Sequence, residues 1–349
     1  MKEFLERTMV ALAVVVSCVT TGSEARADLV LNSAGIADGF RLTVFATMNP
    51  GNTATGTAGC CRGPFGLAVT QSGQATVFVN DVANGTIYTF NDTDGQTPAT
   101  ASHTLTGNTD AEGATAVGST FWGGSPSDNS TFTTYNNSLS NIVTKTITDS
   151  TGNQYYVERG MATTPDGHII ATASKVANTL IPDSLIEITP GNSVARLIAQ
   201  PPGLEDGVSL SPDGTQIYVE YSGAVQVYRR SDGTLLHTYP VSNTPDGTGV
   251  IAAGPLAGQI LVTGNDGTID LIDTAGNVTT IATGGSRLDY TAPDVNNGSL
   301  LIDSADLIYR LSCSNPNCSI VEQVPEPGPI FLFGGGALMV AMVRRRVRR

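Results

Sequence analysis

Between residues 28 and 324, hydrophobic and polar residues alternate in short runs, and no segment sustains a period of 3.6. Period-two runs bounded by Gly, Pro, Asn and Asp predict strands. An apolar run recurs at 76–79, 168–172, 216–219, 259–262 and 300–302. After a polar break, a second run follows at 86–90, 184–188, 224–228, 268–272 and 306–310. Apolar residues at every second position of these later runs predict half-buried strands, one face against a neighbouring sheet. Turns precede the pairs, best formed at Thr164-Pro165-Asp166-Gly167 and Ser211-Pro212-Asp213-Gly214. There Pro presets φ, Asp bonds its own backbone and Gly accepts a positive φ.

The turn glycines 73, 118, 167, 214, 258 and 298 are 45, 49, 47, 44 and 40 residues apart. Such a period with only strand signals inside it predicts an all-β fold, a single β-propeller with one four-stranded blade per repeat. Six repeats predict six blades. The second, at 103–150, is the weakest and carries a polar loop at 123–131, so five or seven blades are the alternatives. A strand-like stretch, Gly39 to Thr47, precedes the first repeat. Pairing of this stretch with the last repeat would close the ring and remove an exposed sheet edge.

Composition narrows the function classes. The chain has 349 residues, 40% hydrophobic and 14% charged, with 39 glycines. That excludes a disordered polyelectrolyte and argues against a helical bundle. Its formal charge is −13, yet residues 28–343 alone carry −18, with 10 Lys and Arg against 28 Asp and Glu. A surface so acidic repels phosphate backbones, and nucleic acid is not an expected partner.

Both ends read as processing signals. Residues 1–27 have a charged start, an apolar run from Met9 to Val19 and the small-residue site Ala25-Arg26-Ala27, which predict a secretory signal peptide with a helical apolar core. A lipoprotein-type site at Val15-Val16-Ser17-Cys18 is the alternative. The ectodomain then spans 28–323, and residues 324–349 form a separate signal. Here Pro325-Glu326-Pro327 precedes a short apolar span at 330–343 and a tail containing Arg344, Arg345 and Arg346. The prolines break incoming structure, and the arginines hold the end of a short transmembrane helix on the cytoplasmic side. An ordinary single-span anchor is the plainer alternative. The order of the three parts closely resembles the PEP-CTERM sorting signal. That resemblance implies an exosortase-type processing enzyme as partner, a Gram-negative bacterium, and a cell-surface or extracellular-matrix location with transient anchoring in the inner membrane.

Beyond Cys18 there are four cysteines, Cys60, Cys61, Cys313 and Cys318. An even number in an exported chain suggests disulfides. Cys313 and Cys318 can close a small loop, or the two pairs can cross-link the ring where its ends meet. Zinc-like CxxC spacing is absent. His168 follows a Pro-Asp-Gly turn and is expected to be exposed, while Trp122 is read as core, with stacking on a sugar as the alternative.

Propellers carry function on loops entering the innermost strands. In this chain that position reads as a charged residue before Gly: Arg62, Glu112, Arg159, Asp206 and Asp246, with Asp289 in the looser sixth repeat. Asp206, Asp246 and Asp289, with Glu112 opposite, offer oxygen ligands to Ca²⁺. Alternatively, the acids satisfy backbone N–H groups or pair with Arg62 and Arg159 across the channel mouth.

The repeats at 161–188 and 209–228 resemble those of YVTN-type and gluconolactonase-type propellers. Within the latter resemblance, Asp206 stands where the family has a metal-binding Asn, and Pro245-Asp246-Gly247 matches its metal-binding Asp motif. Arg62-Gly63-Pro64 stands for the family's Glu-Gly-Pro, and another ligand position falls near Arg159. Arginine cannot ligate a cation. The first expectation is therefore a non-enzymatic interaction module binding exopolysaccharide or surface proteins. The alternative is a divalent-metal-dependent hydrolase of the gluconolactonase type, using Asp206, Asp246 and Glu112.

Overall fold

The alternating runs form six sheets around a central axis. The computed structural model describes residues 28–48, 63–71, 75–81, 84–107, 113–124, 131–175, 184–201, 204–221, 223–242, 244–314 and 319–320. The signal segments at 1–27 and 324–349 lie outside them, as do Cys60, Cys61, Arg62, Glu112 and Cys318. Among the described residues no helix is long and apolar enough to cross a membrane.

The described chain opens with β1 (Val30–Leu31), the short helix α1 (Ser33–Ala37) and β2 (Phe40–Thr47). Blade 1 is β3 (Pro64–Val69), β4 (Thr76–Asp81), β5 (Thr86–Asn91) and β6 (His103–Thr106). Blade 2 follows with β7 (Ala114–Val117), β8 (Thr120–Gly123), β9 (Thr131–Tyr135) and β10 (Val143–Thr146). In blade 3, β11 (Thr148–Asp149) lies parallel to the outer strand of β12 (Tyr155–Thr163), β13 (Ile169–Lys175), β14 (Ser184–Thr189) and β15 (Val194–Ala199). Blade 4 is β16 (Leu204–Leu210), β17 (Gln216–Tyr221), β18 (Ala224–Arg229) and β19 (Leu235–Pro240). Blade 5 is β20 (Pro245–Val250), β21 (Ile260–Gly264), β22 (Ile269–Ile272) and β23 (Val278–Thr283), with β1 added outside β23. Blade 6 is β24 (Thr291–Asp294), β25 (Ser299–Asp303) and β26 (Leu307–Cys313).

The predicted closure forms. β2 pairs antiparallel with β26 from Phe40↔Cys313 to Thr47↔Leu307 and completes blade 6 from the opposite end of the chain. Six blades result, and His103–Thr106, placed by the repeat spacing in blade 2, is instead the outer strand of blade 1. The turn glycines behave as expected, with φ of +81° at Gly167 and +68° at Gly214. Cys313 is in a disulfide whose partner lies outside the described residues.

The inner strands of the blades are buried on both faces, a departure from the half-buried expectation. Val77 and Val79 enter the core between blades 6 and 1, while Phe78 between them enters the core between blades 1 and 2. Ile217 and Val219 pack towards blade 3 and Tyr218 towards blade 5. A blade is sandwiched, so both sets of an alternating strand find a neighbour. Each of the six seams holds one apolar cluster, which accounts for the absence of a single central core. Trp122 belongs to one of them, edge-on to Phe132 at 5.9 Å, which favours its core reading.

The seam where the ring closes carries an additional charged clamp. Arg310 on β26 is 7% exposed and donates to Asp94 at 2.8 Å, to Asp294 at 2.7 Å and to Asp92. It also lies over the Phe45 ring of β2 at 5.1 Å, so one guanidinium joins β2, blade 6 and the turn after β5 of blade 1. Burial and the Asp294 charge push the Asp92 carboxyl from 3.8 up to about 6, against the pull of Arg310.

Two outcomes follow for this seam. Arg310→Met strands buried carboxylates and lowers unfolding free energy by about 3–5 kcal/mol in denaturant titrations. Because its folded value is raised, the stability associated with protonated Asp92 is complete below pH 3.8 and is lost as pH rises through about 6. Melting curves of Asp92→Asn across that window lack this component of the decline.

Candidate active site

The innermost strands of blades 1, 3, 4 and 5 share an irregularity near the same end. Ladder register shifts between Phe65 and Leu67, Val157 and Met161, Leu204 and Val208, and Pro245 and Gly247. A bulge of this kind re-aims side chains at a sheet rim and frees backbone groups from the ladder. Resumed pairing aligns Leu67↔Val79, Met161↔Ala171, Val208↔Val219, Thr248↔Val262 and, in blade 6, Thr291↔Ile302. Two residues earlier stand Phe65, Arg159, Asp206, Asp246 and Asp289.

This corrects the sequence register in blade 1. Phe65-Gly66, three residues after Arg62-Gly63, takes the mouth position, while Gly63 approaches the Ala305 backbone. Asp206 holds its expected place on β16, and Asp246 holds its place on β20, 4% exposed. Arg159 is half-buried on β12. Its carbonyl sits so close to Gly113 that a Cβ there would overlap it.

Behind the mouth lies a second ring that sequence reasoning missed. The residues following Val79, Ala171, Val219, Val262 and Ile302 are Asn80, Thr172, Glu220, Thr263 and Asp303, all buried. Three of them bond backbone at the inner-strand irregularity, and Asp303 bonds the backbone just before β24. Gly160 N donates to Thr172 Oγ1 at 2.9 Å, Gly207 N donates to Glu220 Oε2, and Thr263 Oγ1 donates to Gly247 O at 3.2 Å. Asp303 Oδ1 accepts from Asp289 N at 3.1 Å and Tyr290 N at 2.6 Å. The signal was a polar residue ending each apolar run, a mark easily read as the strand's edge.

Blade 6 brings charge to this arrangement. Asp289 is held by Arg287 at 2.5 Å, and Arg287 lies over the Phe65 ring at 4.5 Å. Phe65 in turn meets Tyr290 edge-on at 5.7 Å. Arginine–carboxylate pairing thus does occur at the mouth, through Arg287, which the repeat pattern did not single out. Asp303 Oδ2 has no hydrogen-bond partner among the described residues. Burial, then the neighbouring Asp289 charge, raises the Asp303 carboxyl well above the usual range.

Below the mouth the channel narrows to a void of about 10 Å³ lined by Leu67, Arg159, Met161, Val208 and Tyr290. That is near the minimum for one water. Its lining mixes polar and apolar groups, with Arg159 and Thr291 beside Leu67, Met161 and Val208. His168 lies elsewhere: it bonds Glu187 at 2.6 Å, in a cluster where Arg230 also reaches Glu187 at 2.6 Å. Its side chain is still 34% exposed, so the contact is added to a placement close to the one expected.

Fold comparisons point the same way as the topology. The ring resembles a gluconolactonase from Xanthomonas campestris at 16% identity, with 81% of this chain and 94% of that one covered and a TM-score of 0.59. It resembles a putative gluconolactonase at 13% identity, covering 84% and 100%, with a TM-score of 0.60. The calcium-binding protein regucalcin from Agrobacterium tumefaciens matches at 14% identity over 81% and 98%, with a TM-score of 0.52. No family model and no curated protein matches the sequence. The fold is a six-bladed β-propeller of gluconolactonase-like form. These neighbours overturn the expectation of a non-enzymatic interaction module in favour of its hydrolase alternative.

A hard cation was the other expectation. Carboxylates at Asp206 and Asp246 have the right donor chemistry for one. Three of the five described mouth positions depart from such a set, since Phe65 and Arg159 cannot ligate and Asp289 is engaged by Arg287. Among the described residues no three His, Cys, Asp or Glu side chains gather closely enough to hold an ion together. Asp246, buried on β20, is one carboxylate suited to a cation, and the backbone register places Asp206 at the matching position one blade away.

The unpartnered Asp303 oxygen makes a direct test. Asp303→Asn keeps an acceptor for the two N–H groups and removes the charge. In chelator-treated protein its melting temperature exceeds that of wild type at pH 8, and the gap closes on acidification as Asp303 takes up its proton. Identical curves at both ends of the pH range would contradict the assignment of charge strain at this position.

Proposed function

We propose that the protein is a hydrolase of small cyclic esters and that Asp246 is the central carboxylate of its site. The observation that carries this reading is the buried Asp246 at the irregular start of β20, one blade from Asp206 in the same register. Support comes from the gluconolactonase-like fold and from the description of one neighbour as calcium-binding.

Opening a lactone requires water to add at the acyl carbon, the ring C–O bond to break and a proton to reach the departing alkoxide. A buried carboxylate at the rim of a basin can orient the water and accept its proton. The narrow void below leaves room for about one water near the reacting ester. Arg159, on the same rim, supplies a fixed positive charge for an anionic or polyhydroxylated substrate. A divalent cation held by Asp206 and Asp246 would polarise the ester carbonyl.

In the same reading the protein is exported and acts at the cell surface or outside it. The support is the secretory signal in residues 1–27 and the PEP-CTERM-like segment in 324–349, with an exosortase-type enzyme as processing partner. Exopolysaccharide or its sugar lactones would then be within reach.

The test combines calorimetry and turnover on the purified protein. Ca²⁺ titration gives a heat of binding at millimolar or lower concentration that disappears in Asp246→Ala. Proton release in a pH-stat shows hydrolysis of five- and six-membered sugar lactones above the buffer rate, and Asp246→Ala reduces it by about 10²-fold or more. Absence of lactone turnover with and without added Ca²⁺ would overturn the reading.

A further inference from the structure

The opposite end of the ring holds a cavity with different chemistry. It has a volume of about 360 Å³ and is lined by the later residues of the innermost strands, among them Ala162, Leu210 and Val250. These positions lie further along β12, β16 and β20 than Arg159, Asp206 and Asp246, so the 10 Å³ constriction stands between the cavity and the mouth. Among the described residues no charged side chain lines it, although the chain as a whole is strongly acidic. Its volume falls in the range of small-molecule pockets.

Two polar atoms in the wall are left over. Ser209 Oγ and Thr248 Oγ1 are both buried and have no hydrogen-bond partner among the described residues. Thr248 is 1% exposed. Other hydroxyls of the wall are already engaged: Thr291 Oγ1 donates to Thr248 O at 2.5 Å, and Ser211 Oγ donates to Asp213 at 2.6 Å. Buried hydroxyls without partners carry a desolvation penalty, which a ligand acceptor would remove. The two lie on adjacent blades and can converge on one molecule.

We propose that this cavity is a second binding site, distinct from the mouth, for an uncharged and mostly apolar small molecule with a carbonyl or ether oxygen. The apolar wall takes the body of the ligand, and Ser209 and Thr248 donate to its oxygen. A charged ligand is disfavoured, because nothing in the wall would pair with it on burial. The site stands independently of the hydrolase reading, since it shares neither Asp206 nor Asp246.

The probe is prodan, a neutral naphthyl ketone whose emission moves to the blue on leaving water. Wild-type protein is expected to bind it with one-to-one stoichiometry and a blue shift. Thr248→Val and Ser209→Ala each weaken binding by about 3- to 10-fold, the range of one hydrogen bond. Leu210→Trp, which fills the cavity from a half-buried wall position, abolishes binding while melting curves verify folding. Asp246→Ala binds prodan as wild type does. Failure of the wild type to take up prodan overturns the proposal, whether water or the chain's own C-terminal segment fills the cavity. So does unchanged, wild-type affinity in the two hydroxyl variants, or loss of binding in Asp246→Ala, which would place the probe at the mouth.

Discussion

Backbone groups freed where the innermost strands break register must be satisfied inside the protein, and the mouth is organised around that constraint. A bulge at the rim of a sheet turns side chains towards the axis and leaves N–H and C=O groups without ladder partners. Buried and unpaired, each would cost roughly 1–3 kcal/mol. Thr172, Glu220 and Thr263 answer this from the second strand, one residue beyond the last apolar position, and Asp303 does the same for the backbone leading into β24, where the ladder is regular. The residue that props the strand differs from blade to blade while the bond it makes recurs. Chemistry can therefore vary at Phe65, Arg159, Asp206, Asp246 and Asp289 without altering the backbone that presents them.

That division separates the two ends of the ring. At the mouth, acids occupy both the outer positions and the props, and Arg287 pairs with Asp289. Asp303 shows the consequence, with a carboxyl driven towards its neutral form by burial and by Asp289. At the far end, the same strands carry Ser209, Leu210, Thr248 and Val250, and the cavity they surround is uncharged. Between the ends, side chains such as Met161 and Tyr290 close the axis. Integrity of the whole depends on the seam where β2 meets β26, because a propeller with an open seam would expose an edge of blade 6. Arg310 strengthens that closure with charge, as Arg230 does between blades 3 and 4 through Asp166 and Glu187.

Much of the fold was legible because its signals are local and repeated. Strand boundaries, turn glycines and the closing role of 39–47 follow from period and turn chemistry at single positions. Burial on both faces was less visible, since alternation such as Val77, Phe78 and Val79 looks the same whichever seam a residue enters. The site was harder. Asp206 and Asp246 could be placed by counting back from their turns, but in blade 1 the Gly-Pro after Arg62 outweighed the count that selects Phe65. Asp303 depends on a contact between separate segments of one blade and Arg287 on the Phe65 ring of the next blade, which no short motif records. His168 followed a turn and looked exposed, and its bond to Glu187 on the next strand is added to that placement.

The reading as a hydrolase rests on one geometric claim, that the start of β20 directs Asp246 into a basin able to hold an oxygen-seeking cation and a small ester. The fold likeness makes that chemistry reasonable, and the substitutions at Phe65, Arg159 and Asp289 imply a sparse site. Anomalous diffraction from crystals grown with terbium, a calcium mimic, tests the claim most directly. The account predicts a single strong peak at the mouth bonded to the Asp246 carboxylate, with water completing its shell. Terbium found only on exposed surface carboxylates, with the mouth empty and Asp246 turned away, would contradict it.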